Sequence, residues 1–67
     1  MINSITEIIT NKGIKLTVGK SYILDKNHRG GFKIVLVGIY GKLFCRIKTP
    51  DNLSEWDTMT NRLSEIE

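Results

Sequence analysis

The chain has 67 residues, 40% of them apolar and 25% charged, with a net charge of +3. This composition excludes a disordered tail, the length excludes more than one domain, and the longest unbroken apolar run, residues 34–37, is far too short to cross a membrane. One cysteine, Cys45, and one histidine, His28, exclude an internal disulfide and a four-ligand zinc site, so neither a metal nor another cofactor is expected.

The N-terminal stretch MINSITEII has no early basic residue and no long apolar core, so no secretory signal is expected. With an unpaired cysteine, that points to a reduced, cytoplasmic setting. Ser4 and Glu7 stand at capping-box spacing, and Ile5, Ile8 and Ile9 share one helical face. Gly13 offers a left-handed stop, so the spacing predicts a helix over 4–12. Its β-branched content makes that helix weak unless the isoleucines dock on something.

After Gly13 the period becomes that of a strand. Ile14, Leu16 and Val18 alternate with Lys15 and Thr17, giving a strand over about 14–18 and, past Gly19, another over 21–25. Residues 25–33, DKNHRGGFK, combine residues that tolerate positive φ (Asn27, Gly30, Gly31) with a cluster of cations. Their first job is to turn the chain between strands. The β-branched run 32–39 reads as a central strand covered on both sides. Gly38 and Gly41 mark a tight connection before an alternating strand over 42–48. Proline at position 50, with Asp51 and Asn52, predicts a turn. Ser54 and Asp57 give a second cap signature, and Leu53, Trp56, Thr60 and Leu63 recur at helical intervals, predicting a helix over 54–62. Residues 62–66 also alternate, which leaves a short closing strand as the alternative there.

The expected architecture is a single, mainly β domain over residues 1–67, with short strands closed into a small antiparallel barrel between an N-terminal helix and a C-terminal helical segment. The run KLTVGKSYIL, then GGFKIVLVGIYGKLFCRI and a terminal turn carrying Trp56, resembles the small SH3-like barrels of bacterial and phage proteins. That resemblance implies a binding role, since the class includes peptide binders, nucleic-acid or ribosome-associated modules and viral proteins that bind host enzymes. The aromatic and acidic loops of a proline-peptide binder are missing, and Gly30-Gly31-Phe32 does not reproduce the KOW pattern, so the resemblance selects no one activity.

No catalytic constellation is visible. A Cys45–His28 pair is conceivable, but Cys45 alternates inward with Leu43 and Ile47, where a thiol is a small inert hydrophobe. A non-enzymatic binding module is therefore expected, and two surfaces compete. Charge is partitioned, +7 over residues 1–48 and −4 over 49–67. Strand alternation puts Lys42, Phe44, Arg46 and Lys48 on one face, an aromatic among cations that suits RNA or DNA; Lys26, Arg29 and Lys33 extend this basic side. The alternative is a protein-binding surface of Glu55, Trp56, Asp57, Met59 and Glu65, able to attract a basic partner, as in a small phage protein that inhibits or redirects a host enzyme. Trp56 sits on a stripe with Leu63 and is expected to be core first.

Overall fold

The structure, a computed structural model, describes residues 5–66. Its described residues form seven strands: β1 (Glu7–Ile9), β2 (Lys15–Thr17), β3 (Ser21–Leu24), β4 (Phe32–Ile39), β5 (Phe44–Lys48), β6 (Glu55–Met59) and β7 (Leu63–Ser64). A single 3-10 turn, Thr60–Arg62, joins the last two. Five strands make one antiparallel sheet in the order β6-β5-β4-β3-β7, and β1 pairs with β2 in a separate two-stranded sheet. No helix among the described residues is long and apolar enough to cross a membrane.

Alternation decides which face is the core. Tyr22 and Leu24 on β3, Ile34 and Leu36 on β4, Cys45 and Ile47 on β5 and Leu63 on β7 are buried on the inner face. The β1–β2 hairpin covers that face with Leu16, fully buried, while Ile8, Ile14 and Val18 pack against the cluster. Burying side chains of this size stabilises the chain by about 1.5–3 kcal/mol each, which is why a hairpin of two three-residue strands persists at all. Tyr22 ties the layers together: its hydroxyl accepts the Thr17 N–H (2.6 Å) and donates to the Lys15 carbonyl (3.4 Å). A bulge between Leu36 and Gly38 reverses the parity of β4, so the next inward residue is Ile39.

Three expectations are corrected. The helix over 4–12 is absent. Ser4 lies outside the described residues, and Glu7–Ile9 is a strand in register with Lys15–Thr17. Every residue from 5 to 10 except Glu7 is β-branched, and in a segment this short that stiffness favours the pleated form. The helix over 54–62 is likewise absent: β6 pairs along its whole length with β5, from Phe44↔Met59 to Lys48↔Glu55. The inward positions of this segment are Trp56, Thr58 and Thr60, and the two buried threonines hide the two-residue period. Their hydroxyls are satisfied, Thr60 donating to the Lys42 carbonyl (2.5 Å) and Thr58 accepting from Arg62 (3.3 Å). The closed barrel is also overturned, since the strands form two antiparallel sheets that do not close on one another. Leu63 and Ser64 do make the short closing strand, pairing with Leu24 and Ile23.

Candidate functional site

The outer face of the five-stranded sheet is built by the β5–β6 register. Phe44, Arg46 and Lys48 stand directly opposite Met59, Asp57 and Glu55. The basic-aromatic set and most of the acidic set, which the sequence presents as rival surfaces, therefore interleave on one surface. Arg46 is held by both carboxylates: its Nε donates to Glu55, and its Nη1 lies 3.0 Å from Asp57 Oδ1. These hydrogen bonds, Glu55 first, hold its guanidinium even more firmly protonated than usual. Tyr40 completes the arrangement. Its hydroxyl donates to the same Asp57 oxygen (3.0 Å), and its N–H donates to the Phe44 carbonyl. Tyr40, Phe44 and Met59 are exposed by 59%, 51% and 40%, so these apolar side chains lie open to solvent beside a polar cluster that fixes their neighbours.

The remaining predicted residues fall elsewhere. Lys42 is in the β4–β5 connection, at the Phe44 end of the sheet. Lys33 is opposite Ile23, on the outer face at the start of β4. Lys26 and Arg29 sit in the β3–β4 turn, beyond that start; the eight residues of β4 span about 25 Å at strand rise, so these cations are remote from Phe44. Trp56 points inward, opposite Ile47, with its ring centroid 6.4 Å from that of Phe32. Glu65 lies past β7 and lines a hollow with Glu7, Lys15 and Tyr22, apart from β6.

One contributor escapes a reading of the sequence. Tyr40 stands between two turn glycines and was part of no predicted element, although an aromatic at a strand end is a usable signal. Leu53, 84% exposed, is presented by the β5–β6 loop rather than packed in a helix.

Cys45 is fully buried opposite Thr58, and burial, helped by Asp57, pushes its thiol up to about 11. Leu43, expected beside it, is exposed instead because it belongs to the connection and not to β5. His28 is in the β3–β4 turn, so the Cys45–His28 pair does not form. Compared with known proteins, the chain matches no family model, no curated protein and no solved structure at a significant level.

Proposed function

We propose that the protein is a non-enzymatic module that binds another protein through the outer face of its five-stranded sheet and the edge of β6. The observation that carries this reading is the exposed Tyr40, Phe44 and Met59 set beside the Arg46, Asp57 and Glu55 cluster. Aromatic and methionine side chains of this kind give large contact area at small entropic cost, and a rim of fixed charges supplies orientation.

The edge adds a means of attachment. Among the described residues β6 pairs with β5 alone, so its other side offers main-chain groups to an added strand. Pairing with a second copy about Asp57 would set two carboxylates opposite each other, which disfavours self-association. A partner segment with cationic and aliphatic side chains fits instead. Nucleic-acid contact by Lys42, Phe44, Arg46 and Lys48 fits less well, because two carboxylates, Glu55 and Asp57, already hold Arg46, and Glu55 also stands opposite Lys48. The cytoplasmic setting expected from the lone cysteine belongs with this proposal.

The test is quantitative capture from lysate, with and without nuclease treatment, by immobilised wild type, Phe44→Ala and Met59→Arg proteins. One specific partner should be retained by the wild type and weakened about tenfold or more by either change, the scale of an interface hot spot. Equal capture by all three would refute the proposal, and so would capture that nuclease abolishes.

A further inference from the structure

The two sheets leave four strand edges among the described residues, those of β1, β2, β6 and β7. Three of them are protected. In the β1–β2 hairpin the Thr10 N–H donates to the Ile14 carbonyl and the Val18 N–H to the Thr6 carbonyl, both 2.9 Å. That parity turns the main-chain groups of Lys15 and Thr17 outward on β2, and those of Glu7 and Ile9 outward on β1. The β2 edge is blocked, because the Tyr22 hydroxyl accepts the Thr17 N–H and donates to the Lys15 carbonyl. On β6, bonds from the Thr60 N–H to the Leu43 carbonyl and from the Thr49 N–H to the Ser54 carbonyl leave Glu55, Asp57 and Met59 outward. Two carboxylates guard that edge, and β7 is only two residues long.

The β1 edge lacks these devices and is apolar. Ile5 and Ile9 stay 40% and 54% exposed, while Ile8 packs against the core. A bridge from Ile5 to Ile39 closes one end of the edge and leaves residues 6–10 open. Glu7 is the one charged residue of the strand, and Lys15 already holds its carboxylate at 3.3 Å. A second copy fits this edge antiparallel, and charge selects the register. Centred on Glu7, two carboxylates would meet. Centred on Ile9, the pairing would run into the turn at Asn11 and Lys12. Centred on Ile8, each Glu7 stands opposite an Ile9 and each Thr6 opposite a Thr10. The two Ile8 side chains then meet as the close, non-hydrogen-bonded pair, and Glu7 and Ile9 exchange the main-chain bonds that one copy leaves open.

We propose that β1 is a self-association edge: two copies pair β1 against β1, antiparallel about Ile8, and join their β1–β2 hairpins into one continuous sheet. Residues 6–10 on each side fall well short of the about 20–30 of a standard interface, so the dimer is weak and forms at high protein concentration. It is independent of the protein-binding face, whose own edge strand disfavours a second copy at Asp57.

The test is sedimentation velocity and amide hydrogen exchange of the full chain over a range of concentrations. The Glu7 and Ile9 amides should gain protection as concentration rises, and those of Asp57 and Met59 should not. Ile9→Glu sets a like charge opposite each Glu7 and should weaken the dimer about tenfold or more. Ile9→Lys sets an opposite charge there and should leave association at least as strong as in the Glu variant's parent. Both are poor strand formers at an exposed position, so damage to the single copy would lower association in both alike. A chain that stays monomeric at every concentration, equal loss in the two variants, or protection gained at Asp57 instead of Glu7 and Ile9 would overturn the proposal. Phe44→Ala should leave self-association intact and Ile9→Glu should leave partner capture intact, so the two proposals fail separately.

Discussion

The connections at residues 25–31 and 49–54 both turn the chain between neighbouring strands of one sheet, yet they hold their shapes by different means. In 25–31 the backbone does the work: Asp25, Arg29, Gly30 and Gly31 all have positive φ, and His28 and Gly31 donate back along the turn to Asp25 and His28. Arg29 and Gly30 at φ 57 and 77 are the central pair of a turn whose twist matches that of the flanking strands. In 49–54 only Asn52 has positive φ, and side chains reinforce two main-chain bonds, Thr49 N–H to the Ser54 carbonyl and Asn52 N–H to the Thr49 carbonyl. The Thr49 hydroxyl donates to Asp51 (2.6 Å) and accepts the Ser54 N–H (3.1 Å), while Asp51 also accepts the Leu53 N–H (3.0 Å). These bonds, Thr49 first, hold the Asp51 carboxyl below its ordinary value. One turn is thus vulnerable to an added Cβ, the other to a lost hydroxyl.

The sharpest way to break this contrast is Gly31→Ala. A Cβ there would lie 2.5 Å from the Leu24 carbonyl oxygen and 2.6 Å from Ile23 Cγ2, on a backbone at φ 72. Stability measured by denaturant titration should fall by about 3–4 kcal/mol, the sum of a clash with backbone and a left-handed non-glycine residue. A midpoint within error of the wild type would show that the turn has a second, equally good conformation.

Thr49→Val tests the other side of the comparison. Losing both bonds of the hydroxyl should cost about 1–2 kcal/mol and speed exchange of the Ser54 amide, with the 25–31 amides unaffected. If protection changes in both turns alike, they are not separately built.

Arg29→Asn should move stability upward. Asn enters the left-handed region more easily than Arg, and a gain of about 0.5–1 kcal/mol is expected. A loss would mean that the Arg29 side chain contributes to folding, and the cation would no longer stand against local preference.

The smallest effect at neutral pH is expected from Asp25→Asn, because the Asp25–Arg62 pair is partly exposed. Its signature is in acid. Hydrogen bonds from Arg62 hold the Asp25 carboxyl below its ordinary value, against a smaller upward push from burial. A carboxyl depressed in the folded state contributes stability that is complete above the unfolded value, about 3.9, and is lost as pH falls through the folded value. The wild-type melting temperature should therefore drop more steeply below about pH 4 than that of the variant. Parallel acid limbs would show that the pair has no differential effect on folding.

Legibility in the sequence followed the range of the interaction. The glycines at 13, 30 and 31 mark turns in the sequence and have positive φ in the structure, because that requirement is met residue by residue. The β-branched run 32–39 is strand β4 for the same local reason. The segment 53–63 misled, because its helical spacing of Leu53, Trp56, Thr60 and Leu63 is accidental while its true inward row contains two threonines. No composition rule ranks a threonine as core; it becomes core when a carbonyl such as that of Lys42 stands within reach of its hydroxyl. The site was divided for a related reason. Alternation put Phe44, Arg46 and Lys48 on one face, but nothing local told that Met59, Asp57 and Glu55 stand opposite them.

The sequence by itself determined the small single-cysteine chain, the apolar alternation of β2 to β5 and the positions where the chain turns. These rest on hard-sphere limits to φ and on the two-residue period of a strand, which act within a few residues. Tertiary structure alone decided that the N-terminal segment is a strand over the core, that β6 is an edge strand with Arg46 between two carboxylates, and that Lys12 and Arg62 face one hollow. Each of these depends on register between segments up to 50 residues apart, from Lys12 to Arg62. Register is set by which pairing buries the most apolar surface while satisfying every main-chain group, a property of the whole chain and of no single window in it.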